Sequence, residues 1–174
     1  MAESRTERPG ETEYAPFYAG YIAQVPEGDI LSVLSRQTDE FLALLDAVPS
    51  GEGGRRYAPG KWSIKEVAGH IIDAERLFGY RAFRFARNDS TPLAGFDEDH
   101  YVAHGWFDAY PLERLGEEFQ WLRRSHLAMF ASFPPEAWMR GGIASGSHVT
   151  VRALAYMMAG HAGHHLGILR ERYL

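Results

Sequence analysis

At 174 residues the chain has the length of one domain with a core of its own. A net charge of −5 argues against a general nucleic-acid binder, and the absence of cysteine excludes disulfides, thiolate metal sites and a cysteine nucleophile from this chain. No apolar leader opens the sequence and no run approaches the roughly 18 apolar residues of a membrane span, so the cytoplasm is the expected location.

Residues 1–27 read as an N-terminal extension, partly disordered, ahead of a helical bundle over 28–174. Within the extension, Tyr14, Phe17, Tyr18 and Tyr21 are expected to lie against the bundle without forming an element of their own. The first helix starts at Asp29, an N-cap after Pro26 and Gly28, and carries an apolar stripe of Leu31, Leu34, Phe41, Leu45 and Val48. The run Pro49-Ser50-Gly51-Glu52-Gly53-Gly54 ends it.

A capping-box sequence, Ser63-Ile64-Lys65-Glu66, opens the second helix, which runs to about Arg87. Val67, Ile71, Ala74, Phe78 and Phe85 form its stripe, and His70 sits at the stripe's edge, about 60° from its centre. Periodicity allows His70 to turn inward but does not force it. Arg76, Arg84 and Arg87 fit a solvated face, with an anion-facing surface as the alternative. The stretch from Asn88 to Tyr110 is too long for a tight turn and suits a crossover between helices. Its Asp97-Glu98-Asp99-His100 cluster, with His104 beyond, reads as a polar loop or a helical turn capping the bundle; metal binding is the alternative.

Asp108 and Pro111 begin the third helix, whose core face is Leu115, Phe119, Leu122, Met129 and Phe130. His126 shares that face, either as a buried ring satisfied by a neighbour or as a ligand. Phe133-Pro134-Pro135 stops the helix, and 136–149 reads as loop, with no strand pattern and no phosphate-binding glycine motif. The fourth helix runs from Thr150 to about Tyr173. Its inward series 151, 154, 158, 161, 165, 168 includes His161 and His165, about 40° apart on the helix. The predicted fold is therefore all-α, a four-helix bundle.

Imidazoles at i and i+4 are neighbours and can share one ion, and a third ligand from a facing helix completes a site that keeps an open position. His70, His104, His126 and His164 are the candidates for that third ligand, and a metal-free pair that only packs and hydrogen-bonds is the competing reading. No glutamate follows His161, so the pair is not a zinc-protease motif. Asp73 and Glu75 are candidate bases, although both are expected to be surface charges.

The segments Lys61-Trp62-Ser63-Ile64-Lys65-Glu66-Val67-Ala68-Gly69-His70 and Gly160-His161-Ala162-Gly163-His164-His165-Leu166-Gly167 together resemble the DinB/YfiT-like superfamily. Leu93-Ala94-Gly95-Phe96-Asp97-Glu98-Asp99 and Leu169-Arg170-Glu171-Arg172-Tyr173-Leu174 are similar to one branch of it, and the resemblance covers about 28–174. It implies an up-down-down-up four-helix bundle with a long connection between helices 2 and 3, often a homodimer. It also implies a divalent metal, nickel or zinc, held by His70, His161 and His165. Many members follow the last ligand with Arg-Gly-Gln, where this chain has Leu166-Gly167-Ile168.

The expected activity is metal-assisted transfer of a low-molecular-weight thiol to a small electrophile, the thiol coming from outside a chain that has none. Hydrolysis by metal-bound water is the alternative enzyme. A non-catalytic, stress-related metal- or ligand-binding bundle is the alternative of a different class.

Overall fold

In the computed structural model of the protein, which describes residues 3–174, the short helices α1 (Glu3–Thr6) and α2 (Ala19–Ala23) precede the bundle. Next come α3 (Ile30–Asp46), α4 (Ile64–Ala86), α5 (Glu98–His104), α6 (Leu112–Ala131), α7 (Pro135–Trp138), β1 (Gly141–Ala144), β2 (Ser147–Thr150) and α8 (Val151–Arg172). The caps fall where the sequence places them. Asp29 accepts a hydrogen bond from Leu31 N, Ser63 and Glu66 cap each other's backbone, and Thr150 Oγ1 accepts from Ala153 N.

Directions follow from paired contacts. Lys65 reaches Asp108 just ahead of α6 while Gly79 meets His126, so α4 and α6 run the same way. Tyr173 Oη donates to Trp62 O while His70 meets His161, so α8 runs against α4. Arg123 bonds Leu34 O while Gly116 meets Leu42, which sets α3 against α6. Each long helix packs mainly on two others, α3 and α4 both lying against α6 and α8. Two consecutive helices running the same way need a connection that crosses the length of the bundle, which residues 87–111 supply.

The hairpin corrects the expectation of plain loop over 136–149. β1 and β2 pair antiparallel, with Gly141 opposite Thr150 and Ala144 opposite Ser147. Ser145 and Gly146 make its two-residue turn at φ 52° and 77°, the primed geometry that matches strand twist. Leu93 adds a parallel bridge to Ala144. Four-residue strands are too short for alternation to register in sequence.

The aromatic stretch before the bundle is also more structured than expected, with a 3-10 turn at Pro16–Tyr18 leading into α2, which packs on α8. Ahead of it, buried Glu13 accepts from Arg152 and from Thr150 Oγ1. The expectation for Met1 and Ala2 lies outside the described residues. No helix among the described residues is long and apolar enough to cross a membrane.

The apolar core falls into two clusters. One gathers Leu34, Phe78, Phe85, Phe130, Trp138 and Leu154; the other gathers Phe41, Ile71, Phe119, Leu166 and Leu169. Between them, at mid-length, a polar belt crosses the bundle: Gln37 from α3, His70 and Glu75 from α4, Arg123 and His126 from α6, and His161 from α8. Each member is buried, so each must find a partner inside the bundle. Arg123 is fully buried, and its Nε and Nη2 hold the two Glu75 oxygens at 2.7 and 2.8 Å. Its Nη1 donates to Leu34 O at 2.8 Å, and Gln37 Nε2 donates to Ala159 O at 2.8 Å.

Candidate metal centre

His70 comes from the second turn of α4 and His161 and His165 from one face of α8, where antiparallel packing brings the two helices together. One ring nitrogen from each of the three lies within 4.8 Å of the others, and His70 Nε2 and His161 Nε2 are 2.9 Å apart. The ring centroids form a near-equilateral triangle with sides of 4.8, 4.7 and 4.5 Å. His70 and His161 are buried and His165 is partly exposed, so the cluster opens on one side.

The donor set fits a divalent ion. Two imidazoles on one tetrahedral ion, with bonds of about 2.0–2.1 Å, have nitrogens about 3.3–3.4 Å apart, a spacing these rings reach by small side-chain rotations. Three neutral nitrogens suit zinc or nickel and leave a coordination position free.

The surroundings keep the rings neutral. Burial pushes His70 down to about 4, against the opposite pull of the Asp99 charge. Burial, with His70 and His164 nearby, takes His165 to about 3, and burial together with its three histidine neighbours holds His161 well below its ordinary value. Neutral imidazole is the form that ligates, so at neutral pH no proton need be displaced from these rings.

Aromatic rings wall the cluster. Trp62, just ahead of the Ser63 cap, lies over His70 and stacks on His165 at centroid distances of 4.8 and 6.5 Å. Tyr21 and Phe78 both meet His161 edge-on at 5.8 Å. Beside His165 a depression of about 360 Å³ is lined by Tyr57, Lys61, Trp62, Asp99, Ile168 and Tyr173. That volume suits a small molecule.

Two glycines let segments from outside the bundle settle next to His70 and His161. A Cβ on Gly69, one residue before His70, would meet the Phe107 ring at 2.3 Å, and a Cβ on Gly160, one residue before His161, would meet the Tyr21 carbonyl oxygen at 2.3 Å. Backbone cannot give as a side chain can. Gly160→Ala should therefore displace α2 from α8, cost about 1–3 kcal/mol as overpacking does, and uncover His161 and His164. Faster amide exchange across residues 19–23 is the expected reading; unchanged exchange there would refute it.

The remaining candidates sit elsewhere. His126 Nδ1 lies 3.1 Å from Glu75 Oε1, and its ring fills the space over Gly79, so it is the buried, satisfied histidine. His100 and His104 are exposed on α5, His104 Nδ1 bonding the His100 carbonyl at 2.8 Å. His164 is partly exposed, with its ring 5.2 Å from Tyr21 and 5.1 Å from His165. Glu75 is no surface charge: it is 2% exposed and bound to Arg123. Asp73 is half-buried and held by Arg76. The carboxylate that lines the depression beside His165 is Asp99 from α5. Its place in an acidic run drew attention to the run, but only the fold brings that helix over the histidines.

No curated protein matches the chain in sequence. The fold is similar to YfiT from Bacillus subtilis, described as a probable metal-dependent hydrolase with an unusual four-helix bundle topology, at 15% identity, a TM-score of 0.75, and coverage of 95% of this chain and 90% of that one. It is also similar to the mycothiol-dependent maleylpyruvate isomerase, at 14% identity and a TM-score of 0.66, over 79% of this chain and 58% of that one. Residues 34–169 match the model of the DinB superfamily, and the chain belongs to that superfamily.

Proposed function

We propose that the protein is a divalent-metal enzyme that activates a low-molecular-weight thiol for transfer to a small electrophile. The observation that carries this reading is the meeting of three neutral imidazoles from two helices beside an opening of small-molecule size. His70, His161 and His165 would hold nickel or zinc. When bound, such an ion lowers the pKa of a thiol or water at its free position, so that the anion is available near neutral pH.

The chain's own residues do the rest. Trp62, Tyr21 and Phe78 keep water from the closed sides of the cluster, and the depression beside His165 admits the electrophile. In the transfer, a carbon–sulfur bond forms, the bond to the leaving group breaks with its electron pair, and the thiol proton passes to the Asp99 carboxylate and on to solvent. The absence of cysteine means that the thiol is a second substrate. The similarity in fold to a mycothiol-dependent enzyme supports this version. With water in place of the thiol, the same arrangement would hydrolyse its substrate, with Asp99 as the base.

Elemental mass spectrometry of the untagged protein tests the reading, with about one divalent ion per chain expected. Product formation from an electrophile only when a small thiol is present would establish transfer, and equal turnover without thiol would establish hydrolysis. A chain that carries no ion and takes up none from zinc, nickel or manganese is not a metalloenzyme.

A further inference from the structure

Three arginines are buried among the described residues, and two of them are matched by carboxylates. Arg123 holds Glu75 through two nitrogens, and Arg152 is paired with Glu13 and Glu7. The third, Arg81 on α4, is 3% exposed, and among the described residues no carboxylate pairs with it. Its Nη2 donates to Ala94 O at 3.0 Å and to Ser145 Oγ at 2.9 Å. These acceptors, and the Tyr18 hydroxyl that also bonds the guanidinium, are neutral, so among the described residues the positive charge is buried without a carboxylate, a costly arrangement unless something supplies one.

Arg81 also lines a cavity. About 270 Å³ of space is enclosed by Tyr18, Ala144, Val149 and Met157, with Phe17, Ser145, Ser147 and His148 toward its mouth. Apolar walls around one cationic group are the make-up of a small-molecule site. Tyr18 adds a hydroxyl beside the guanidinium; burial pushes that hydroxyl up in pKa while the Arg81 charge pulls it the other way. Burial likewise lowers Arg81 from its ordinary value, as expected of a cation without its anion.

The structure assigns this cavity, in our view, as a binding site for a small organic oxyanion, a carboxylate or phosphate with a short apolar body, held by Arg81. The guanidinium fork matches two oxygens of such a group; Nη2 bonds Ala94 O and Ser145 Oγ and the Tyr18 hydroxyl bonds the same guanidinium, so an incoming oxyanion competes with these neutral partners and adds the missing charge. The body of the ligand would lie against Ala144, Val149 and Met157. The cavity is separate from the histidines: Tyr18 meets Phe78 at 6.3 Å and Phe78 meets His161 at 5.8 Å, so a layer of rings stands between them. The assignment stands whether or not the histidines hold a metal.

Benzoate, phenyl phosphate and the neutral isostere benzamide, titrated into the full-length protein and followed by amide NMR, test the assignment. Saturable shifts confined to Tyr18, Arg81 and residues 144–149 are expected with an anion, and at least tenfold weaker binding with benzamide. The two anions separate a carboxylate site from a phosphate site, and binding of either sustains the proposal. Arg81→Met keeps an apolar stem in place and should weaken anion binding at least tenfold. Ala144→Leu should do the same by filling the cavity with Arg81 intact. Binding in His161→Ala should be unchanged, which separates this site from an anion bound to metal. Failure of both anions to bind, equal binding of benzamide, or wild-type affinity in folded Arg81→Met and Ala144→Leu would overturn the assignment.

Discussion

Replacement of His161 by alanine is expected to leave a folded bundle that no longer retains a divalent ion. His161 is buried, with His70 Nε2 at 2.9 Å and His165 one turn along the same helix. Without it the remaining donors come one from each helix, and two imidazoles hold an ion weakly. Affinity should fall by more than about 100-fold, beyond the 10–100-fold usual when only a ligand's outer hydrogen-bond partner is lost. His70→Ala and His165→Ala should act in the same direction, whereas His164→Ala should keep wild-type stoichiometry. The His161 variant forfeits ring contacts with Tyr21 and Phe78, an ordinary cost of about 1–3 kcal/mol for a buried truncation. Calorimetric titration with zinc and nickel, alongside helical circular dichroism, reads both effects. Retention of wild-type affinity in folded His161→Ala would remove the site.

The largest effect on stability is expected from Glu75→Gln or Arg123→Met. Each change leaves the other charge buried without its partner, at a cost of about 3–5 kcal/mol. The double variant should recover most of that loss, because desolvating two charges offsets much of what their pairing contributes. Burial alone would raise the Glu75 carboxyl, but the Arg123 charge and the hydrogen bonds from His126 and Arg123 outweigh it and hold the carboxyl below its ordinary value of 4.5. The pair's contribution is therefore complete above about pH 4.5 and is lost as the pH falls through the lowered value. In denaturant titrations, the gap between wild type and Glu75→Gln should be present at neutral pH and shrink as the pH falls below about 4.5. A single variant costing under about 1 kcal/mol would mean that the pair is not buried as described.

Local signals in the sequence were enough for the long helices, because caps and a period of 3.6 are properties of neighbouring residues. The spacing of His161 and His165 is local in the same way, and the rings do share one face. His70 was different. It sits at the margin of its stripe, and only the packing of α4 against α8 turns it toward the other two; the family resemblance, not periodicity, singled it out. The polar belt was missed for a related reason, since a charged residue in a helix reads by default as solvated. A signal existed nonetheless. Arg123 falls between Phe119 and Phe130 in the inward series 115, 119, 123, 126, 130, and Glu75 lies four residues after Ile71 and three before Phe78. The hairpin escaped because a pair of four-residue strands offers hardly two alternations, although Ser145-Gly146 marked its turn.

The glycine seats at 69 and 160 divide the labour of the molecule. Helices α4 and α8 carry the three histidines, while the segments that press on them, Phe107 from the crossover and Tyr21 from the N-terminal stretch, belong to neither. Part of what surrounds the histidines is thus supplied from outside the four long helices, beside the Trp62 and Phe78 rings that come with α4. Exchanging residues 14–24 and 93–110 for those of another bundle of this topology, with the two glycines kept, should alter which molecules are accepted while the affinity for the ion stays the same. The scaffold works as a fixed socket with interchangeable fittings.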